Sequence, residues 1–111
     1  VERTSRDGVE VLLVEGELDI ATASRLISIL NSSVADALKA VVVDLTDVGF
    51  MDSTGLALLI NANRRLLLRR KGFAVVCPPG PLRRVFEITD MVDTLHVCPD
   101  QESAARGFLA V

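Results

Sequence analysis

Residues Ala40 to Leu45 read AVVVDL, a run that is apolar at both alternating positions apart from one acid. Successive side chains of a strand point to opposite faces of its sheet, so a strand of this kind rests only where both faces are covered. That requirement points to a mostly parallel sheet packed between helices, since parallel neighbours are joined by crossovers that are usually helical. Three further runs read as strands: VEVLLV (Val9 to Val14), FAVVC (Phe73 to Cys77) and LHVC (Leu95 to Cys98). Val1 to Ser5 reads as a short edge strand, and RDG (Arg6 to Gly8) is a hairpin signal that would make this first strand antiparallel. In EGELD (Glu15 to Asp19), Gly16 is expected to mark the turn that carries the chain off the sheet.

The intervening stretches have helical spacing. After a possible cap at Thr22, residues Ala23, Leu26, Ile27, Leu30, Val34, Ala37 and Leu38 recur at three- and four-residue steps. Ser24, Ser28, Asn31, Ser32 and Asp36 fall on the other side. Leu56, Leu59, Ile60 and Leu67 line a second helix, expected to run to about Lys71 and to stop at Gly72. A third begins near Pro81, where the missing N–H costs little, and presents Leu82, Val85 and Phe86. Asp100 can cap a last helix through about Leu109. The predicted architecture is an α/β domain spanning residues 1–111, with a mostly parallel sheet of four or five strands and about four helices. In such sheets functional loops lie at the carboxyl ends of strands, where DLTDVGFMDSTG (Asp44 to Gly55) falls.

Composition narrows the function. A chain of 111 residues holds one core, and with four Phe and neither Tyr nor Trp that core is aliphatic. Stacking platforms for single-stranded nucleic acid are therefore missing. The net charge of −3 gives no general attraction to nucleic acid or anionic lipid, and no apolar run reaches membrane-spanning length. No secretion signal is evident, so a cytoplasmic location is expected, with Cys77 and Cys98 as reduced, buried thiols. The chain opens on Val1, as a trimmed product or a piece of a longer protein would.

Catalytic patterns are wanting. No Gly-rich phosphate loop, dinucleotide fingerprint or nucleophile elbow occurs. The single histidine, His96, lies in a predicted strand with nothing to bring it to a serine, and one His with two separated Cys makes no zinc cluster. No cofactor and no metal are expected. Arg64, Arg65, Arg69, Arg70 and Lys71 make the end of the second helix basic, which complements its dipole and reads as a solvated helix end. Leu58, Asn61 and Arg65 point away from the expected core stripe. Leu58 lies about one turn from a candidate hydroxyl, which makes it a candidate partner contact.

That hydroxyl belongs to FMDSTGL (Phe50 to Leu56). Asp52, Ser53 and Thr54 are all good N-caps, and one of them suffices to cap a helix. The remaining hydroxyls, followed by Gly55, would be exposed at a helix start, where a phosphate is favoured by the dipole and opposed by neighbouring carboxylates. Asp52 and, if the strand-end loops converge, Asp19 would supply that opposition.

GELD (Gly16 to Asp19), VVVDLTDVGFMDSTGL (Val41 to Leu56) and GFAVVCPPGPLRRVFEITDM (Gly72 to Met91) together resemble the STAS domain, specifically the bacterial anti-sigma-factor antagonists. The resemblance runs from about Gly8 to Leu109. It implies that Ser53 accepts a phosphate, that Asp19 helps the partner kinase recognise and modify the domain, and that Thr54 is at most a secondary acceptor. It further implies a partner switch. The unphosphorylated domain would bind an anti-sigma factor and so release the sigma factor. The anti-sigma factor, an ATP-dependent serine/threonine kinase, would then phosphorylate the domain, and a PP2C-type phosphatase would reset it. The chain would be a substrate and docking surface, not an enzyme.

Three rivals compete. A receiver domain would be phosphorylated on Asp44, but no acidic pair follows an early strand and no lysine follows FAVVC. A non-catalytic STAS subunit or scaffold, as in lipid-transport ATPases, stress complexes or anion transporters, keeps the fold and changes the task; here the acceptor serine is intact. A small-ligand or nucleotide site in the same loops is opposed by Asp19, Asp44, Asp47 and Asp52, which would repel a phosphate without a metal.

Overall fold

The computed structural model describes residues 1–109. Five strands lie side by side in chain order: β1 (Glu2–Arg6), β2 (Val9–Leu18), β3 (Ala40–Met51), β4 (Gly72–Val76) and β5 (Val97–Cys98). β1 is antiparallel to β2, across a turn whose central Asp7 and Gly8 both have positive φ (53° and 84°), and the other pairings are parallel. Right-handed crossovers that always step in one direction leave their helices on one side of the sheet. α1 (Ala23–Asp36), α2 (Ser53–Leu68) and α3 (Pro81–Ile88) accordingly share a core with Leu12, Val41, Val43, Phe73 and Val75. The second face, formed by Val9, Ala40, Val42, Ala74 and Val76, is met by Ala104 of α4 (Gln101–Leu109). AVVVDL is thus covered on both sides, as its composition requires.

Both long strands exceed their predicted lengths. β3 pairs with β4 only as far as Asp44 with Val76, yet β2 and β3 continue together to Leu18 and Met51. The result is a two-stranded parallel ribbon standing beyond the rest of the sheet. Gly16 (φ 86°) lies inside it, next to a register shift, and does not turn the chain off the sheet.

The helical stripes need three corrections. On α1 the buried residues are Ala23, Leu26, Leu30, Ser33 and Val34; Ile27 is exposed at the edge of that stripe, and Leu38 lies past the helix end. On α2 the buried residues are Gly55, Leu59, Ala62 and Leu66, flanked by Leu56 and Ile60, while Leu67 is 70% exposed. The helix also ends without help from Gly72. Arg70 takes the left-handed conformation (φ 57°), its amide donating to Leu67 O at 3.0 Å and that of Lys71 to Leu66 O at 2.9 Å. This is a Schellman ending with arginine where glycine is usual. Gly72 instead opens β4.

The basic end of α2 is only partly a solvated surface. Arg65 donates to Asn31 Oδ1 (2.5 Å), Arg69 to Val34 O (3.2 Å) and Lys71 to Ala37 O. Cations therefore meet carbonyls at the negative end of α1, so the pattern ties one helix to its neighbour. α3 presents Leu82, Val85 and Phe86 to the core as expected. Asp100 caps α4 by accepting from Ser103 N at 2.8 Å, a bond that holds its carboxyl below the ordinary value.

His96 is not a strand residue. It stands just before β5 with φ 50°, exposed, its Nδ1 3.0 Å from Phe73 O. Cys77 packs in the three-helix core and Cys98 against the α4 side, on opposite faces of the sheet. Both thiols are free, and burial pushes both up from the usual value, making them poor nucleophiles.

Candidate functional site

Asp52 alone caps α2. Its backbone is extended (φ −98°, ψ −174°), and its Oδ1 accepts from Thr54 N at 3.0 Å and Gly55 N at 3.1 Å. The division of labour among the three cap-forming residues follows from position: the residue before the helical turn has the reach to its amides, and the two after it do not. Ser53 is the first helical residue and is exposed; Thr54 beside it is half-buried. The cap is therefore complete without either hydroxyl.

The loop that carries Asp19 arrives at the same place. Asp52 N donates to Leu18 O at 3.2 Å, so the residues next to Asp19 and Ser53 in sequence are hydrogen-bonded to each other. Asp19 has a structural task as well. Its Oδ1 accepts from Ala21 N (3.0 Å) and Thr22 N (3.1 Å), and its carbonyl accepts from Ala23 N (2.9 Å). Thr22 occupies the cap position of α1 without capping; its hydroxyl donates to Glu17 O at 2.7 Å. Asp19 thus rigidifies the turn into α1 and stays half-buried.

Gly55 explains how the two loops come so close. A Cβ there would lie 2.7 Å from Met51 Cγ, 2.8 Å from Leu18 Cγ and 2.9 Å from Leu18 O. Only a residue without a side chain lets the first turn of α2 rest on the end of β2.

Leu58 differs from its expected position. It is half-buried and packs against the main core instead of pointing away from it. Seven residues on, at nearly the same helical angle, Arg65 reaches Asn31 of α1, so this flank of α2 faces a neighbouring helix. Reckoning outward from the sheet alone misses that neighbour.

Asp44 is buried at the sheet's carboxyl end with both oxygens engaged. Oδ1 accepts from Thr46 N (2.9 Å) and Thr46 Oγ1 (2.5 Å), and Oδ2 from Gln101 Nε2 (2.7 Å). It serves as a clasp between β3 and α4, with both oxygens already accepting hydrogen bonds. Among the described residues no cluster of His, Cys, Asp and Glu could hold a metal, and no helix is long and apolar enough to cross a membrane.

Sequence reasoning passed over the apolar residues that frame this end. Ile20, beside Asp19, is 78% exposed, and Phe50, just ahead of the cap, is 51% exposed. The available signal was FMD itself, an aromatic two residues before a polar cap at a strand end.

The sequence profile of the STAS domain matches residues 1–104. An anti-sigma-B factor antagonist of Staphylococcus aureus (strain NCTC 8325 / PS 47) is 33% identical over 97 residues, 87% of this chain and 90% of the relative. The crystal structure of an anti-sigma factor antagonist from Mycobacterium paratuberculosis matches with a TM-score of 0.89 at 33% identity, over 96% of this chain and 91% of that one. The anti-sigma factor antagonist SpoIIAA in its unphosphorylated form matches with a TM-score of 0.82, over 99% and 96% of the two chains; at 18% identity that likeness concerns the fold.

Proposed function

Because this chain belongs to the STAS domain family, we propose that it is an anti-sigma factor antagonist switched by phosphorylation of Ser53. In its unphosphorylated state it binds an anti-sigma factor that is also an ATP-dependent serine/threonine kinase, and the sigma factor is released. The kinase transfers the γ-phosphoryl group of ATP to Ser53 Oγ, the hydroxyl proton is lost, and ADP leaves. A PP2C-type phosphatase hydrolyses the phosphoserine and returns the domain to its binding state. The domain supplies no catalytic group, and its working compartment is the cytoplasm.

The observation that carries this reading is the exposed Ser53 at the start of a helix already capped by Asp52. Asp52 occupies the amides of Thr54 and Gly55, so a phosphate on Ser53 does not draw on them and stays at the surface. It adds about −1.5 to −2 charges beside Asp52. In a kinase complex the group facing Ser53 is the bound nucleotide, itself anionic, so the product is repelled from the place where it was made. Relatives that are anti-sigma factor antagonists support the antagonist part of this reading.

The test is to incubate the protein with its cognate anti-sigma factor and ATP and to map the product. Phosphate on Ser53, stable to hydroxylamine and absent from Ser53→Ala, is expected, while Ser53→Ala retains partner binding and Ser53→Asp weakens it. A hydroxylamine-labile phosphate on Asp44 would falsify the assignment.

A further inference from the structure

Of the three phenylalanines whose side chains are described, Phe73 and Phe86 are fully buried, and Phe50 is half exposed on the β2–β3 ribbon. Its exposure is built into the strand. Gly16 pairs with Val48 and Glu17 with Phe50, so β3 has one residue more than β2 over this step, and Gly49 is the extra one. With regular alternation Phe50 would share the inner side with Val48. The bulge reverses the alternation, so Val48 and Met51 are buried and Phe50 faces outward. Bulges re-aim side chains in this way, and they are common beside functional sites.

The surroundings of Phe50 are acidic. Glu17 is its pairing partner across the ribbon, and Glu15 and Asp47 are paired two steps away. Asp19 and Asp52 lie where the ribbon meets α1 and α2. Among the described residues none of these five carboxylates is in an ion pair. Ile20, 78% exposed, adds a second apolar side chain beside Asp19.

We propose that Phe50, supported by Ile20, is the apolar anchor by which this domain docks on its anti-sigma factor, and that the docking face offers an apolar pocket rimmed by Lys or Arg. This rests on the antagonist reading and adds the contact that gives it affinity. A buried aromatic at the centre of a polar rim is the usual source of binding energy in an interface, and the rim charges set partner choice and association rate. The unpaired carboxylates select the occupant. A second copy would bring the same five acids against these, and nucleic acid or anionic lipid would bring phosphates, whereas a basic-rimmed protein face complements them. Anchor and switch are then separate parts of one surface: Phe50 supplies affinity, and Ser53, three residues on, faces the nucleotide and supplies control.

The test titrates the purified anti-sigma factor with wild-type protein, Phe50→Ala, Ile20→Ala and Glu17→Gln, each also in a Ser53→Ala background that removes the switch. Phe50→Ala is expected to weaken binding about tenfold or more and Ile20→Ala by a smaller factor, with the protein still folded and its thermal midpoint only slightly lowered, since Ile20 is largely and Phe50 half exposed. Glu17→Gln is expected to slow association at low salt and to flatten its salt dependence. A folded Phe50→Ala protein that binds within twofold of wild type overturns the anchor and leaves the Ser53 switch standing. An anti-sigma factor that binds and never phosphorylates Ser53 removes the switch, while the Phe50 series still decides the anchor. A concentration-dependent dimer of the wild-type domain that Phe50→Ala abolishes would assign the residue to self-association instead.

Discussion

The Asp52 amide donates to the Leu18 carbonyl oxygen at 3.2 Å, and this bond joins the end of β2 to the start of α2. Asp19 follows Leu18 and Ser53 follows Asp52, so one backbone contact fixes the two residues that the partner kinase would have to recognise together. The contact depends on Gly55, whose missing side chain lets the helix settle against Leu18 and Met51. The site is therefore held by backbone geometry and packing, and its hydroxyl is left unengaged by the cap.

Gly55→Ala tests that dependence. Alanine is favoured over glycine inside a helix by up to about 1 kcal/mol, but its methyl would meet three atoms at 2.7–2.9 Å, one of them a backbone oxygen. Overpacking of that kind costs about 1–3 kcal/mol, so the clash outweighs the propensity gain. The variant should unfold at lower urea than wild type by about 1–2 kcal/mol, and Ser53 should be phosphorylated more slowly. A more stable Gly55→Ala protein would show that the two elements can part without harm.

Asp52 separates capping from charge. Asp52→Ala leaves two amides of α2 without their acceptor and should cost about 1 kcal/mol in urea denaturation. Asn caps as well as Asp, so Asp52→Asn should stay within about 0.5 kcal/mol of wild type while removing one charge beside Ser53. If Asp52→Asn is as damaging as Asp52→Ala, the carboxylate charge matters more than the cap.

Arg70 holds a left-handed conformation that suits glycine better. It is exposed, and no ion pair among the described residues involves its side chain. Arg70→Gly should therefore stabilise the protein, by about 0.5–1 kcal/mol, with the midpoint of thermal unfolding rising and partner binding unaffected. A destabilised variant would mean that the arginine side chain has a role beyond the turn.

The succession of strands and helices and the start of α2 were legible because each depends on local periodicity or on cap-forming residues, whereas the choice of Asp52 over Ser53 and Thr54 and the exposure of Ile27, Leu38 and Leu67 were not. AVVVDL required cover on both faces, and the helices on either side provide it. What escaped prediction depends on partners distant in sequence. Leu58 is half-buried because α1, far from it in sequence, lies alongside α2. The ribbon beyond Leu45 was hidden by its bulges. An inserted residue breaks the two-residue period that identifies a strand, so the same irregularity that turns Phe50 outward also concealed the strand that carries it.

Asp44 should prove structural. Its oxygens accept from three neutral donors, and Gln101 can turn its amide to match an asparagine. Asp44→Asn should change stability by about 1 kcal/mol or less and leave Ser53 phosphorylation intact, whereas Asp44→Leu should lose the bonds to Thr46 and Gln101, both exposed and open to water, and cost about 1–2 kcal/mol. Chemical denaturation of the pair, with phosphate mapping of Asp44→Asn, distinguishes a clasp from an acceptor. Loss of all phosphate in the asparagine variant would reopen the question.

The edge strand poses the sharpest energetic question. Glu10 is only 4% exposed on β2, and Arg3 of β1 bonds it through Nε at 3.0 Å while reaching Asp36 at the end of α1 (2.8 Å). The second carboxylate oxygen of Glu10 has no partner. Removing Arg3 would leave a buried carboxylate uncompensated, a loss of about 3–5 kcal/mol for a fully enclosed pair. Arg3 is 30% exposed in its side chain, so water can partly replace it, and a loss of about 2–3 kcal/mol is expected for Arg3→Met. Replacing both residues by apolar ones of similar size, Arg3→Met with Glu10→Leu, should recover most of that loss, because the desolvation penalty disappears with the charge. Urea denaturation of the two single variants and the double variant measures the coupling. A double variant no more stable than Arg3→Met would show that the bridge to Asp36, not the burial of Glu10, holds β1 to the sheet.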